Sequence, residues 1–303
     1  MIDFQRPDAT VKEKYHRCLA DADLRGCEYS FANLNLWGRQ RIAFLDDFAV
    51  IFAQFQQSSV YPYPVGKGDV RKVLDRIIQD ARARGIPCRM TCLSEENCRT
   101  LEQLYPGQFR FHADRDSYDY IYQIEELAWL KGKRMQSKRN FVNRFHAAHP
   151  DCQILPLDAA TLPATQEMVE LWYENRIAEN PLSDYYLEQV ALNRAFARMQ
   201  ELDLEGIVLM EHGQVLAMTM GSPMTPTTFD VHFEKALDRV DGAYAAVNCA
   251  FARYLLEKYP DLKYLNREDD MGLPGLRKAK LSYRPYQLLE QYWARLWEDD
   301  DEN

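Results

Sequence analysis

The sequence lacks the short motifs that identify several large enzyme classes. It has no GxxxxGK[ST] phosphate loop, no HExxH zinc-binding helix and no GxSxG serine-hydrolase turn. Its six histidines form no paired metal-ligand spacing. P-loop nucleotide hydrolysis, zinc-dependent proteolysis and serine-hydrolase chemistry therefore have no support, and we expect no metal site.

Long apolar runs and a disulfide pattern are also missing. No stretch approaches the ~18 apolar residues that identify a membrane-spanning helix, and the first residues lack the basic-then-apolar pattern of a signal peptide. The seven cysteines are odd in number and scattered, which does not predict a disulfide framework. We expect a cytoplasmic protein with reduced thiols and no integral membrane segment, so that any membrane role would be peripheral, at the inner membrane surface.

Charge is unevenly divided along the 303 residues, whose length favours two domains. Residues 1–150 carry 23 Lys and Arg against 19 Asp and Glu, whereas residues 151–303 carry 14 against 27. The two halves have net charges of +4 and −13 within a total of −9. This asymmetry favours a local basic site over general nucleic-acid affinity, although two differently charged surfaces would give the same counts.

The hydrophobic periodicity predicts an α/β (α+β) fold with mixed, mostly antiparallel sheets. The second half reads helix, helix, three-stranded meander, helix, strand, helix, and the first half repeats this order more loosely. We therefore predict two tandem domains, 1–148 and 149–303. In the second half, helices are predicted at 162–178, 183–202, 242–260 and 275–283, and strands at 205–210, 215–224, 228–236 and 262–269. In the first half, strands are predicted at 41–47, 48–55, 86–93 and 118–127, and helices at 68–85 and 94–106.

Polar residues and glycine mark several of these helix ends. Asp69 is the predicted N-cap of the helix at 68–85, and Gly85 is its predicted C-terminal stop. Ser94 is predicted to begin the next helix, and Ser183 or Asp184 the helix at 183–202.

The first domain is predicted to end in a basic helix, 131–148. From Lys131 to Arg144 the chain has six basic residues and no acidic one. The apolar face of this segment continues toward its N-terminus as Lys138 and Arg134. A stripe that becomes cationic indicates either a solvated helix end between two domains or a surface that faces an anion.

Two glycine-containing turns precede helices, where free N–H groups and the helix dipole favour an anion. The first is "VGKGD", with its Gly-Lys-Gly at 66–68, although such turns are common without a ligand. The second is "DRVDGAY", in which Arg239 and Gly242 partly match the turn by which GNAT acetyltransferases hold coenzyme A. Tyr244 stands where that turn requires a small residue.

The strand "TFDVHFEKA" carries two candidate general bases. His232 and Glu234 lie on one face by the alternation of a strand, and either one could deprotonate an amine or hydroxyl nucleophile. An ordinary exposed strand face would show the same pattern.

The segment "NREDDMGLPGLRKAKLSYRPY" (266–286) places acid, turn and base in that order. Three carboxylates at 268–270 precede a turn and a short helix, whose first turn holds Arg277 and Lys278. Cations there oppose the helix dipole, at a cost of a few tenths of a kcal/mol each. Either the protein's own carboxylates or a bound anion should compensate.

Several stretches together resemble one bacterial family, the proteins similar to the C-terminal catalytic domain of phosphatidylglycerol lysyltransferase. The stretches span nearly the whole chain, and the last is the most specific. They are "SFANLNLW" (30–37), "YPVGKGD" (63–69), "DSYDYIY" (116–122), "LKGKRMQSKRNFVNRF" (130–145), "VHFEKA" (231–236) and "NREDDMGLPGLRKAKLSYRP" (266–285).

The resemblance implies two tandem GNAT-like (acyl-CoA N-acyltransferase) domains, related also to FemABX peptidyltransferases. Such enzymes transfer an aminoacyl group from a charged tRNA to a lipid or peptide acceptor, in a cleft between the domains. Carboxylates near Asp269 would bind the amine of the transferred residue. The candidate catalytic residues are His232, Glu234, Glu268 and Asp269. The candidate substrate- or phosphate-binding residues are Lys131, Lys133, Arg134, Lys138, Arg139, Gly66, Lys67, Gly68, Arg239, Gly242, Asn266, Arg267, Arg277, Lys278 and Lys280.

Two alternatives remain on the same fold. One is an N-acyltransferase that uses acetyl-CoA, suggested by the turn at Arg239 and Gly242. The other is a non-catalytic module that binds an anion or tRNA. In each case we expect a transferase-like fold with no tightly bound cofactor.

Overall fold

The computed structural model describes residues 1–22, 24–55, 58–179 and 185–297. These residues form two compact units, each built from separate stretches of the chain. The first unit contains Met1–Asp119, Asp269–Arg277 and the residues from Leu288 onward, and the second contains Tyr120–Glu268 and Lys278–Gln287. The predicted domain boundary after residue 148 stays a prediction, because the compact units divide the chain elsewhere.

The first unit contains a mixed seven-stranded sheet and four helices. Its strand order is β1-β2-β3-β5-β14-β6, with β4 paired to β2. The β3–β5 pair is parallel, whereas β14 runs antiparallel to both β5 and β6. The elements are α1 (Ala9–Ala22), α2 (Phe31–Leu36), β1 (Gln40–Leu45), β2 (Phe48–Phe55), β3 (Ser58–Pro62), β4 (Val65–Gly66), α3 (Val70–Arg84), β5 (Arg89–Leu93), α4 (Glu95–Leu104), β6 (Phe109–Ala113) and β14 (Tyr292–Leu296).

The predicted helix ends of the first unit are confirmed. The Asp69 side chain accepts a hydrogen bond from the N–H of Arg71 at the start of α3, and Gly85 ends that helix in a left-handed conformation. At the start of α4, Ser94 and Asn97 form a reciprocal capping box. One face of α3, which includes Val73, Leu74 and Ile77, packs into the core beneath the sheet.

The second unit contains the other sheet, in the order β13-β7-β12-β11-β10-β9-β8. The predicted meander is confirmed as β9, β10 and β11, which pair antiparallel, and β12 joins β11 in parallel. The elements are β7 (Asp119–Gln123), α5 (Ile124–Trp129), α6 (Gln136–Ala148), β8 (Gln153–Pro156), α7 (Leu162–Glu179), α8 (Tyr185–Ala197), β9 (Glu205–Glu211), β10 (Gln214–Thr225), β11 (Thr228–Ala236), α9 (Ala243–Lys258) and β12 (Tyr264–Asn266). Two further elements, α10 (Pro274–Leu281) and β13 (Gln287–Leu289), have residues in both units.

Two predicted elements are corrected. The predicted strand at 118–127 ends as β7 at Gln123 and continues as the helix α5. The helix forms because Ile124, Leu127 and Ala128 recur at helical spacing and are buried. The predicted strand at 262–269 is only three residues long, and the chain turns after Asn266.

The basic helix predicted at 131–148 begins later, at Gln136, after a 3-10 turn. It belongs to the second unit because Met135 and Val142 share a hydrophobic cluster with Ala245 and Cys249 of α9. The predicted caps Ser183 and Asp184 lie outside the described residues.

The α/β class and the mixed sheets flanked by helices are therefore confirmed. Among the helices in the described ranges, none has the length and apolar character needed to cross a membrane.

Candidate functional site

A row of buried polar residues crosses three neighbouring strands of the second unit. Ser222 of β10 pairs in register with Asp230 of β11, which pairs in turn with Asn266 of β12. All three residues are buried. The sheet thus holds a hydroxyl, a carboxylate and an amide in register on three neighbouring strands, and buried polar groups of this kind call for an explanation.

His232 lies at an irregularity of β11. Val231 pairs with Gly221 and Phe233 pairs with Met220, so that His232 has no direct partner on β10. A bulge of this kind redirects a side chain and is frequent beside functional sites. Gly221 permits the close approach, because a Cβ there would lie 2.0 Å from the carbonyl oxygen of Asp230.

The His232 ring links a hydroxyl to two carboxylates. Its Nε2 lies 2.9 Å from the Ser222 Oγ, and its Nδ1 lies 3.0 Å from a Glu268 carboxylate oxygen and 3.5 Å from one of Asp230. The His232 side chain is 1% exposed and that of Glu268 is 22% exposed. Of this pair, Glu268 therefore faces solvent, with His232 and Ser222 behind it.

The backbone around Glu268 is held in an uncommon conformation. Its φ is +55°, in the left-handed region that costs a non-glycine residue about 1 kcal/mol or more. The Asn266 Oδ1 accepts a hydrogen bond from the Glu268 N–H at 2.6 Å. The Lys280 ammonium donates to the carbonyl oxygens of Arg267 and Glu268, at 2.6 and 3.2 Å. These contacts fix the direction in which the Glu268 side chain leaves the strand.

The second candidate base, Glu234, is engaged in an ion pair. One carboxylate oxygen lies 2.8 Å from an Arg267 guanidinium nitrogen, and the other accepts a hydrogen bond from the Asn248 side chain at 3.2 Å. The Glu234 and Arg267 side chains are only 12% and 11% exposed. Because two donors occupy its carboxylate, Glu234 is a poorer candidate base than Glu268.

Arg267 and Lys138 share an aromatic environment. The Lys138 ammonium lies 3.9 Å from the centre of the Tyr283 ring, and the Arg267 guanidinium lies 5.0 Å from the same ring and 5.6 Å from that of Tyr122. Burial and the neighbouring Arg267 charge lower the pKa of Lys138. Burial opposes the charge of Arg267, yet Glu234 and the tyrosines raise its pKa overall.

The remaining basic residues before and within α6 divide into two groups. Lys131, Lys133 and Arg134 are exposed. Arg139 instead donates hydrogen bonds to the carbonyl oxygens of Leu130 and Gly132, and so holds the turn that leads into α6. The first group is free to face a polyanion from solvent, whereas Arg139 has a structural contact.

The turn before α9 has a packing role. Gly242 is the N-cap residue of α9, with φ +81°, and a Cβ there would lie 2.3 Å from the Phe141 carbonyl oxygen of α6. Arg239 and Tyr244 are both exposed. Helix packing therefore accounts for the glycine, and coenzyme A binding at this turn stays a prediction.

The corresponding turn of the first unit also has a structural explanation. A Cβ on Gly66 would lie 2.2 Å from the Asp47 carbonyl oxygen, where β4 pairs with β2. Gly68 has φ +132° and Lys67 is exposed. Asp69 already places a carboxylate at the start of α3. Phosphate binding there stays a prediction.

The acid–turn–base segment forms an internal network in the first unit. The Arg277 guanidinium lies 2.7 and 2.9 Å from the buried Asp270 carboxylate and 2.6 Å from Asp116. Asp269 accepts a hydrogen bond from the N–H of Met271 at 3.0 Å. Of the two compensations expected for the helix cations, the protein's own carboxylates are therefore present for Arg277. Lys278 is exposed.

Ser222 and Asp230 were not identified from the sequence, whereas Asp270 was one of the three carboxylates expected to compensate the helix cations. Asp230 had a usable signal, since D-x-H-x-E on one strand places three titratable groups two residues apart. Ser222 had none, because its contact depends on the register between β10 and β11. The buried carboxylate is Asp270 rather than Asp269, a difference of one residue that the turn geometry decides.

One group within the described ranges has the donor set of a metal site. Asp230, His232 and Glu268 each offer one ligand atom, and these atoms all lie within 4.8 Å of one another.

Sequence comparison places most of the chain in one family. The family model for phosphatidylglycerol lysyltransferase, C-terminal, matches residues 19–295. An uncharacterised protein of Mycoplasmoides gallisepticum is 24% identical over 187 residues, which are 59% of this chain and 56% of that relative. The matched region thus spans about half the length of that curated relative.

Solved structures show the same fold. A conserved protein of unknown function from Bacteroides thetaiotaomicron is 36% identical over 98% of this chain and 100% of its own, with a TM-score of 0.91. L-PGS from Bacillus licheniformis is 15% identical over 96% of this chain and 93% of its own, with a TM-score of 0.68. A tandem GNAT protein of the clavulanic acid pathway is 8% identical over 99% of this chain and 100% of its own, with a TM-score of 0.52. The predicted tandem GNAT-like fold is confirmed.

Proposed function

Because this chain belongs to the phosphatidylglycerol lysyltransferase C-terminal family, we propose that it is an acyltransferase that uses aminoacyl-tRNA. The aminoacyl group moves from the tRNA to an amine or hydroxyl group of a lipid or peptide. Phosphatidylglycerol is the first acceptor to test, since it gives the family its name, and the protein would meet it at the membrane surface.

The observation that carries the proposal is the position of Glu268. It is the exposed end of a buried chain of contacts, Ser222–His232–Glu268. In the transfer, the acceptor's oxygen or nitrogen bonds to the carbonyl carbon and loses a proton, while the ester bond to the tRNA ribose breaks and the ribose oxygen takes up a proton. Glu268 accepts the first proton, and His232 stabilises and orients its carboxylate.

The cations of the same unit support binding of the donor. Lys131, Lys133 and Arg134 are exposed in a stretch without acidic residues, which suits the phosphates of an RNA. Lys138 and Arg267 lie beside Glu234 and are more buried than the first three cations. They are suited to position a single anionic group of the donor rather than a run of phosphates. The donor is thus attracted by exposed charge and positioned by buried charge.

Binding and transfer are tested separately. Binding of charged tRNA is measured as a function of salt for the native protein, for Lys131→Ala/Lys133→Ala/Arg134→Ala, and for Lys263→Ala as a control on another exposed cation of the unit. The triple variant is expected to lower the slope of log K against log salt by about 2 to 3, because each lost phosphate contact removes about 0.7 to 0.9. The control should change the slope by less than about 1.

Transfer is measured with labelled aminoacyl-tRNA and phosphatidylglycerol or peptide acceptors. Glu268→Gln keeps the shape of the side chain, so we expect tRNA binding to persist while the rate falls by about 10² or more. Absence of tRNA binding at low salt would overturn the proposal. Turnover with acetyl-CoA instead would establish the N-acyltransferase alternative, and tRNA binding without transfer to any acceptor would indicate a binding module.

A further inference from the structure

A second use of the His232 cluster follows from its donor atoms. We propose that Asp230, His232 and Glu268 bind one divalent transition-metal ion, such as Zn²⁺, through the His232 Nδ1 and one oxygen of each carboxylate. This binding does not rest on the proposed transfer reaction.

The donor set suits such an ion. Zn²⁺ accepts imidazole nitrogen and carboxylate oxygen at about 2.0 to 2.2 Å, so adjacent ligands of a tetrahedral site lie about 3.4 Å apart. The His232 Nδ1 lies 3.0 Å from Glu268 and 3.5 Å from Asp230, and no pair among the three ligand atoms exceeds 4.8 Å. Only a small movement is required to close the site around an ion.

Glu268 is the side chain that can make this movement. Asp230 is buried on β11 and pairs with Ser222 of β10 and Asn266 of β12, and the buried His232 ring is held by its contact with the Ser222 Oγ. Glu268 has the longer side chain, follows the end of β12 and is 22% exposed. It provides both the adjustment and the route of entry, and three protein ligands leave a fourth position for water.

The hydrogen bond at the other ring nitrogen of His232 also suits a metal ligand. A histidine that binds a metal through one ring nitrogen donates the N–H of the other to an oxygen in nearly all known sites. Here the Nε2 lies 2.9 Å from the Ser222 Oγ. A metal on Nδ1 therefore places the ring proton on Nε2, with Ser222 as its acceptor. Without metal, an Nδ1 proton donates to Glu268 and the Ser222 hydroxyl donates to Nε2.

The same carboxylate cannot hold a metal and accept a proton at once. If the proposed transfer holds, a bound metal is therefore expected to slow it. Metal binding is measured without any substrate, so failure of either proposal leaves the other testable.

Metal uptake by chelator-treated protein tests the inference. We expect equilibrium dialysis against ZnCl₂ or CoCl₂ to load one ion per chain, and the Co²⁺ absorption spectrum to lack the intense thiolate band of a cysteine site. Glu268→Gln should weaken binding at least tenfold, as should Asp230→Asn. Glu211→Gln is the matched control. The Glu211 carboxylate also pairs with a histidine, at 2.7 Å from the His149 Nδ1, but neither residue belongs to the group of Asp230, His232 and Glu268, so metal binding should not change.

A nitrogen-15 NMR spectrum of the histidines adds a readout that a folding defect would not imitate. Zn²⁺ should move the His232 ring proton from Nδ1 to Nε2. If Asp230→Asn does not fold, the metal affinity of Glu268→Gln is the test, because this position is partly exposed and tolerates the change more easily. No uptake by the native protein, uptake unchanged by Glu268→Gln, or a thiolate band would each overturn the inference.

Discussion

The buried ion pair between Glu234 and Arg267 should be far more sensitive to loss of one partner than a surface pair of the same length. Both side chains are about nine-tenths buried, and the shortest nitrogen–oxygen distance is 2.8 Å. Glu234→Gln would leave a guanidinium buried without its counter-charge. Loss of one partner of a buried pair costs about 3–5 kcal/mol. With a urea m-value of about 2 kcal/mol per molar, the unfolding midpoint should fall by about 1.5–2.5 M.

The chain offers a matched control in the same unit. Arg144 and Asp241 are also 2.8 Å apart, but their side chains are 55% and 64% exposed. Asp241→Asn should therefore cost only about 0.2–1 kcal/mol, a midpoint shift of less than about 0.5 M. The comparison holds distance constant and varies burial.

Urea unfolding is best followed by hydrogen–deuterium exchange of peptides from β10, β11 and β12, which reads the second unit alone. The double variant Glu234→Gln/Arg267→Met should lose about 1–3 kcal/mol less than the sum of the two single variants, because neither charge is left alone. Equal midpoint shifts for Glu234→Gln and Asp241→Asn would refute the reasoning from burial.

Two further predictions concern neighbouring positions. Gly242→Ala should destabilise the second unit by more than about 1 kcal/mol in urea unfolding, because φ is +81° and the added Cβ would meet the Phe141 carbonyl oxygen. Gly275→Ala is the control: the added Cβ meets open space in α10, so this change should stabilise the protein by about 0.5–1 kcal/mol. Equal effects would contradict this account. For Lys138, the pKa is lower in the folded state than in the unfolded chain, so the unfolded chain binds more protons between the two pKa values. The contribution of Lys138 to stability therefore rises with pH up to about 10.5. Relative to the native protein, Lys138→Met should therefore be most favourable near pH 7 and lose that advantage as pH approaches and passes 10.5. A difference in stability that stays constant from about pH 7 to about pH 11 would exclude the lowered pKa.

Local features of the fold could be predicted because local chemistry decides them. Asp69, Gly85 and Ser94 mark helix ends through hydrogen bonds and backbone angles that involve only a few neighbouring residues. The meander was equally readable, since short turns join β9, β10 and β11. The last strand, β14, was missed because its partners β5 and β6 are nearly two hundred residues away.

The candidate site was predictable only in part. Alternation along β11 identified His232 and Glu234, and the resemblance identified Glu268. Their unequal exposure could not be read from the pattern, because it depends on a bulge and on the left-handed backbone of Glu268. Glu234 is paired with Arg267, whereas Glu268 contacts His232. Which carboxylate takes which partner likewise depends on contacts between residues that are far apart in the sequence.

The place of β14 in the first sheet has a consequence for synthesis. The strand lies between β5 and β6, yet it is translated after the whole of the second unit. At about 5–20 residues per second, β6 leaves the ribosome roughly 10–40 seconds before its neighbour exists. During that interval the inner edges of β5 and β6 lack the strand that joins them in the finished sheet. The N-terminal unit thus cannot complete itself first, and a ribosome stalled before residue 292 should hold a nascent chain whose first sheet remains sensitive to protease.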